Sequence, residues 1–422
     1  MRLLKHVVAA FLFWQFSAAA SALADDLVVK RNVTLRAEPD RRSAIVDFPA
    51  IGSHLTLVDD GTRVRGYLHA KTTDGRLGWV YYSFVTRVPS AEPEALLAAA
   101  PSMTVHYIDV DQGAAALAEF SCGAILIDAG GRGDAAGNHL IAFLDAFFAR
   151  RPDLNRTLAG LIITHTHKDH NLNLQRVVER YRVMGYVDNG VMTGSGRYAA
   201  AWMATRTANG TPAIARRSIS SEMVEAAGPD GFSDAIVDPV ACAGVDPRIR
   251  VLSGRYDTNP GWSDGDFENG NNQSLAVRID FNNSSYLFTG DMEEAGLETL
   301  VDKYNGNLNA DVWLVSHHGA DNGITASFVQ ALTPKIAVIS MGHLDSHDMW
   351  TAWAYGHPRR NTVSALDAAL AFTRPSISAN VATKPKTFAG YPLSHALYAT
   401  GWDGDVRIST MGDGNLSVVT GQ

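Results

Sequence analysis

Thr164-His165-Thr166-His167-Lys168-Asp169-His170 stands where the apolar run Leu161-Ile162-Ile163 ends and a helix-like stretch is about to begin at Leu172. Imidazole nitrogens and carboxylate oxygens are the donors that zinc-class divalent ions prefer, and here three imidazoles and one carboxylate fall within six residues. A loop at the end of a strand can fan such closely spaced side chains around a pair of ions. His165 and His167, two positions apart, can face one ion while Asp169 and His170 face the other. A lone histidine in such a loop reads as a solvated surface residue; the cluster predicts a metal site.

Outward from this stretch, strand-like runs alternate with helix-like ones. Thr104 to Val110, Ala124 to Asp128 and Leu158 to Thr164 carry strand patterns, and His139 to Phe148 and Leu172 to Arg182 carry helical ones. That alternation predicts a layered α/β domain over residues 103–422. Residues 190–270 are rich in Gly, Ser, Asp and Asn without periodicity, which predicts an insertion or long loops over the site. Leu397 to Thr420 reads as two or three strands that finish a sheet, and Trp350, Trp353 and Trp402 read as core aromatics with no assigned role.

Upstream, Leu27 to Val88 shows short alternating strands broken by turns at Arg36-Ala37-Glu38-Pro39-Asp40, Ile51-Gly52-Ser53 and Thr73-Asp74-Gly75, the pattern of a small β barrel over residues 25–88. A groove lined by Trp79, Tyr81 and Tyr82 would suit peptide stacking, although a small barrel needs large side chains inside and Trp79 is expected in the core. The proline-punctuated, alanine-rich residues 89–102 read as a linker. Residues 1–24 have the basic start, apolar run and Ala22-Leu23-Ala24 site of a cleaved export signal, which implies a periplasmic or secreted protein with no membrane span after cleavage.

The 422 residues suit a small domain and a larger one, and 46% hydrophobic with 19% charged residues is an ordinary globular balance. A net charge of −8 disfavours tight, non-specific nucleic-acid binding, so nucleic acid enters only as a substrate. Cys122 and Cys242 are the two cysteines; they read as two buried free thiols or, in an oxidising compartment, as a pair.

The arrangement around His165 matches the H-x-H-x-D-H signature of the metallo-β-lactamase superfamily. Ile108-Asp109-Val110-Asp111-Gln112-Gly113, Ile125-Leu126-Ile127-Asp128-Ala129-Gly130, Asn272-Gln273-Ser274-Leu275, Phe288-Thr289-Gly290-Asp291, Ser316-His317-His318-Gly319 and Tyr355-Gly356-His357-Pro358 follow in the order of its ComEC-like branch, whose extracellular hydrolase domain is associated with DNA uptake. The resemblance implies an αββα sandwich and two divalent ions, zinc or manganese, held by His165, His167, Asp169, His170, Asp291 and His318, with Asp291 bridging. His317 and His318 are both placed to be the ligand; His317 is otherwise available for charge stabilisation, and His357 lines the pocket.

Residues 171–290 contain no histidine, where many superfamily members carry another ligand; the ComEC-like branch tends to have Asn near Asn271 and Asn272 instead. Asp111 and Ala114 depart from that branch, which more often shows Gly and then Asp, and the membrane channel of ComEC proteins is absent. Val33-Thr34-Leu35-Arg36-Ala37-Glu38-Pro39 and Asp74-Gly75-Arg76-Leu77-Gly78-Trp79-Val80 resemble a bacterial SH3-like domain, which implies binding of cell-wall peptide.

A divalent ion lowers the pKa of bound water to near 7, so an exported hydrolase acting through a metal-bound hydroxide is expected. Asp169 and Asp291 position that hydroxide, with His317 and His357 as lesser catalytic candidates. Phosphodiester or phosphate-ester bonds lead; a carboxyl ester, lactone or cell-wall ester is the alternative. A non-catalytic cell-wall-associated binding protein is the third reading, disfavoured by the complete donor set.

Overall fold

The computed structural model describes residues 26–59, 62–72, 75–88, 102–304, 306–411 and 413–421. The export signal and nearly all of the 89–102 linker lie outside the described residues. The chain divides into two compact units, Met1–Ala99 and Ala100–Gln422.

In the first unit, β1 (Asp26–Val29), β2 (Leu35–Arg36), β3 (Ile45–Asp47), β4 (His54–Leu57), β5 (Tyr67–Thr72), β6 (Leu77–Tyr81) and β7 (Val85–Val88) form one antiparallel sheet in the order β3-β2-β6-β5-β4-β1-β7. Its core is small and aliphatic: Leu27, Val29, Leu35, Leu55, Leu57, Leu68 and Val80. Trp79 is not in that core. Strand alternation turns Val80 inward, so Trp79 projects from the other face and stacks on His69 with ring centroids 4.6 Å apart. The expected aromatic groove differs as well. Tyr81 lines a concavity with Tyr67, Phe84 and the arginines Arg36, Arg41, Arg42 and Arg65, while Tyr82 is exposed beneath the Arg63 guanidinium.

The second unit is a four-layer sandwich. Its first sheet runs β13-β12-β11-β10-β9-β8-β22-β23, with β8 (Met103–Tyr107), β9 (Ala116–Phe120), β10 (Gly123–Ile127), β11 (Thr157–Ile162), β12 (Arg182–Asp188), β13 (Ala215–Ser218), β22 (Val406–Thr410) and β23 (Leu416–Thr420). The second runs β14-β15-β16-β17-β18-β21, with β14 (Arg248–Ser253), β15 (Ala276–Phe281), β16 (Ser284–Phe288), β17 (Val312–Leu314), β18 (Ile336–Ile339) and β21 (Leu397–Ala399).

Side-chain alternation sorts these strands into three cores. Ile125 and Ile127 of β10 join Val277, Ile279, Tyr286 and Phe288 of the second sheet in the central layer, while Leu126 turns outward to Leu140, Leu144 and Phe147 of α1 (Gly133–Arg150). On the far side, Leu287 and Trp313 pack against Leu297 and Leu300 of α7 (Glu294–Tyr304) and Val363 and Leu366 of α10 (Arg360–Ala369). Both faces of each sheet are covered, so the central strands read as continuous apolar runs.

α1 links β10 to its parallel neighbour β11. β16, β17 and β18 are parallel as well. Residues 190–270 are only partly loop: α4 (Arg197–Asn209), α5 (Ser221–Ala226) and α6 (Asp264–Glu268) lie there, and β13 and β14 add an edge strand to each sheet. Cys122 and Cys242 are not free thiols but a disulfide with Cα atoms 5.2 Å apart, joining the β9–β10 turn to this segment. The C-terminal strands finish both sheets, and Thr373–Lys384 with Thr387–His395 makes a separate antiparallel hairpin. Among the described residues, no helix is long and apolar enough to cross a membrane.

Candidate metal centre

The parallel strands end on one rim of the sandwich, and the loops there carry the donors, as expected for layered α/β folds. β10 leads into Asp128-Ala129-Gly130, β11 into the histidine loop with the one-turn α2 (Lys168–Asn171), β16 into Gly290-Asp291, and β17 into Ser316–Gly319. The rim is crowded. A Cβ on Gly130 would sit 1.6 Å from the carbonyl oxygen of Asp169, so only glycine lets the two loops meet. Gly290 has φ +55, and a Cβ there would lie 2.9 Å from Thr164 Cβ.

Among the described residues, Asp169, His170, Asp291 and His318 offer ligand atoms that all lie within 4.8 Å of one another. Asp291 is central: Oδ1 is 3.0 Å from His170 Nε2, and Oδ2 is 3.4 Å from His318 Nε2 and 3.9 Å from His165 Nε2. Asp169 Oδ2 is 3.4 Å from His318 Nε2. His165 Nε2 and His167 Nδ1 stand 3.0 Å apart. That is close to the roughly 3.3 Å chord between two nitrogens on one tetrahedral ion with metal–nitrogen bonds of about 2.0–2.1 Å. The six sequence-derived donors therefore converge, as a four-donor set with an adjoining histidine pair whose His165 lies 3.9 Å from Asp291 and has its ring 4.2 Å from that of His170.

Hydrogen bonds behind the donors decide which ring nitrogens are free. His170 Nδ1 donates to Asp128 Oδ2 at 2.7 Å, and His318 Nδ1 donates to the Ser340 carbonyl at 2.7 Å. Both acceptors lack hydrogens, so each Nδ1 must carry the proton. The two Nε2 atoms are buried and make no well-directed hydrogen bond, facing instead the Asp291 and Asp169 oxygens at 3.0–3.4 Å, the condition of nitrogens held ready for a metal ion. Thr164 donates its hydroxyl to Asp128 Oδ2 at 2.9 Å and lies 3.2 Å from His165 Nδ1, which leaves His165 Nε2 facing the cluster. These residues fit a divalent metal.

Electrostatics agree. Burial would lower the imidazoles of His170 and His318, but the charges of Asp291 and its fellow carboxylates outweigh it; His170 is raised well above the usual histidine range and His318 to about 10. Burial would raise the carboxyls of Asp169 and Asp291, yet His318 and His170 hold both below the usual carboxylate range. The donor set thus places concentrated negative charge against positions that a proton or a metal ion must fill. His165, beyond strong carboxylate contact, is pushed well below the usual range by burial and the neighbouring His170.

Geometry separates His317 from His318: the His318 ring nitrogen lies within the four-donor cluster and His317 stands beside it. His317 Nδ1 is 2.9 Å from Asn322 Oδ1 and 3.6 Å from Glu293 Oε1, and Asn271 Nδ2 lies 3.5 Å from its Nε2. Both histidines have positive φ, +48 and +53, an unfavourable backbone that packing sustains where it aims side chains. His357 is buried, its ring 6.0 Å from that of His318 and its Nδ1 3.5 Å from Gln112 Nε2. Asn272 serves structure: its Oδ1 accepts from the Glu293 and Gly296 amides and so fixes the turn after Asp291.

Asp128 and Ser340 were not among the sequence-derived site residues. The strand-end Ile127-Asp128 is the signal that could have drawn attention to the first; a backbone acceptor such as Ser340 leaves none.

A family model described as the metallo-beta-lactamase superfamily matches residues 108–343. Competence protein ComA of Neisseria gonorrhoeae is 35% identical over 88 residues, covering 21% of this chain and 12% of that protein. ComE operon protein 3 of Bacillus subtilis (strain 168) is 32% identical over 96 residues, covering 23% of this chain and 11% of that protein. The matches therefore span only about an eighth or less of those relatives' length. Among solved structures, the metallo-beta-lactamase fold protein YhfI from Bacillus subtilis aligns with a TM-score of 0.35 at 11% identity, over 64% of this chain and 94% of that one. The family match covers more than half of the 422 residues, and the chain belongs to the metallo-β-lactamase superfamily.

Proposed function

We propose that this chain is an exported, metal-dependent hydrolase of phosphodiester or phosphate-ester bonds. The observation that carries the reading is Asp291, whose Oδ1 lies 3.0 Å from His170 Nε2 while its Oδ2 lies 3.4 Å from His318 Nε2 and 3.9 Å from His165 Nε2. Zinc or manganese held by His165, His167, Asp169, His170, Asp291 and His318 would supply Lewis acidity and lower the pKa of water. Asp169 and Asp291 accept hydrogen bonds and orient the attacking water between the two sets of donors. Asp128 and the Ser340 carbonyl hold the rings of His170 and His318 in register. His317, at the mouth beside Asn271, is placed to meet the substrate's negative oxygens, with His357 behind it.

The ComEC-like resemblance, together with relatives named as competence and ComE operon proteins, favours a phosphodiester over a carboxyl ester. The disulfide supports export, since such bonds persist in oxidising compartments. The antiparallel first unit is consistent with the SH3-like reading, whose resemblance implies a cell-wall peptide as its partner. Elemental analysis of the mature protein should find about two zinc or manganese ions per chain. The same sample should cleave bis-p-nitrophenyl phosphate until a chelator is added. Turnover of p-nitrophenyl acetate alone would overturn the bond type, and absence of metal would overturn the mechanism.

A further inference from the structure

Beside the donor set, the segment before His357 places large apolar side chains in solvent. Met349 is 74% exposed, Trp350 66% and Tyr355 36%. Trp350, expected in the core, is outside it; the buried tryptophan of this unit is Trp313. The Trp350 backbone has φ +67, a conformation that bulky residues rarely adopt. The flanking turn enforces it: Thr351 and Ala352 are fully buried, and the Thr351 hydroxyl donates to the Asp348 carbonyl at 2.8 Å and accepts from the Ala354 amide at 3.2 Å. The indole is thus held outward by the fold at a conformational cost, the kind of local strain that collects at binding sites.

The exposed rings run straight to the candidate centre. Trp350 and Tyr355 have centroids 6.1 Å apart with planes 56° apart; Tyr355 stacks on His357 at 5.4 Å with planes 14° apart, and His357 stacks on His318 at 6.0 Å with planes 23° apart. A ring lying on the Trp350 indole would be joined to the donor set by way of Tyr355 and His357. Three side chains fall well short of the roughly 800 Å² per partner of a stable protein interface, whereas the exposed indole face of Trp350 matches one planar ring. The offered surface is π face and thioether, which selects flat, polarisable ligands without base-specific hydrogen bonds.

We infer that Trp350, with Met349 and Tyr355 exposed beside it in the same segment, forms a stacking shelf for a nucleobase of a substrate bound at the candidate centre. The inference rests on the phosphodiesterase reading and names its substrate class: nucleotidyl esters or single-stranded nucleic acid.

Two measurements on the metal-loaded full chain test it. The first compares thymidine 5′-(p-nitrophenyl phosphate) with methyl p-nitrophenyl phosphate, which share the leaving group and differ in the base. Trp350→Ala should raise KM for the thymidine ester about 5- to 150-fold, the range for losing one stacked base, and change the methyl ester less than about twofold. Trp350→Phe should restore most of the difference. The second is fluorescence anisotropy with a labelled thymidine oligomer and an abasic oligomer of the same phosphate count. The wild type should prefer the thymidine oligomer, and Trp350→Ala should erase the preference. Equal effects on both esters, or no preference between the oligomers, overturn the shelf while leaving phosphodiester hydrolysis standing. A base preference that Trp350→Ala abolishes, in a protein that cleaves neither ester, supports the shelf and removes the hydrolytic reading.

Discussion

Replacing Asp128 with Asn should weaken metal binding about 10- to 100-fold, the usual cost of losing the carboxylate behind a ligating histidine. The structure shows why an isosteric change should matter. Asp128 is almost fully buried at φ +59; its Oδ1 accepts the Thr164 amide at 2.8 Å, and its Oδ2 accepts the Thr164 hydroxyl at 2.9 Å and His170 Nδ1–H at 2.7 Å. Asparagine has one acceptor oxygen. If that oxygen keeps the Thr164 amide, the NH₂ replaces Oδ2 and confronts the His170 Nδ1–H. The threonine hydroxyl can rotate to accept, but the imidazole can relieve the clash only by moving its proton to Nε2, the atom that faces Asp291. The proton then occupies the lone pair a metal needs. A 10- to 100-fold loss is about 1.4–2.7 kcal/mol, in line with the roughly 1.5–3 kcal/mol of a hydrogen bond to a charged group. Competition against a chromophoric chelator at fixed pH, with circular dichroism to follow the fold, measures it. A folded Asp128→Asn protein binding metal within twofold of wild type would refute the reasoning.

Opening the disulfide by Cys122→Ser with Cys242→Ser frees a 120-residue loop. Chain entropy sets the loss near 5 kcal/mol and typical bridges near 2–4 kcal/mol, read as a lower urea midpoint; an unchanged midpoint would contradict it. Burial pushes Asp238 up to about 6, against the Ile249 amide bond and helped by Asp246. Because that value is raised above the unfolded one, near 3.9, its stabilising contribution is complete below about pH 4 and lost as pH rises through 6. Asp238→Asn should therefore gain about 1–2 kcal/mol on wild type between pH 5 and pH 8, after discounting partial exposure, and urea titrations showing no pH-dependent difference would contradict it. Gly130→Ala should abolish metal retention and lower the melting temperature sharply, since its Cβ would overlap the Asp169 carbonyl; Gly265→Ala, with its nearest neighbour 3.9 Å away, is the control expected to melt like wild type.

The sandwich was legible wherever strands are buried on both faces. Ala124-Ile125-Leu126-Ile127 and Leu158 to Ile162 are apolar runs because each lies between two cores. The start of α1 was less legible: Gly133 and Gly137 argue against helix, yet a Cβ at Gly137 would lie 2.3 Å from Asn173 Oδ1, so close packing against α3 (Leu174–Arg180) favours glycine there. The edge strand β13 was hidden because Arg216 and Arg217 sit in a strand with one side open. The 373–395 hairpin was hidden because Pro375 interrupts its pattern, where the register shifts between Thr373 and Ile377.

The site was legible in proportion to how locally its residues are encoded. His165, His167, Asp169 and His170 come from one loop of the first sheet, so spacing alone exposes them. Asp291 and His318 come from the second sheet and meet that loop only because β11, β16 and β17 end at the same rim. Neither residue is unusual in its own neighbourhood, and a strand-end Asp or a His-His pair acquires meaning only once the sheets face each other. The choice between His317 and His318 turns on two consecutive positive φ values and on a carbonyl acceptor at Ser340. A backbone carbonyl carries no side-chain identity, so sequence reading could supply the donors but not the hydrogen bonds that decide which nitrogen each one offers.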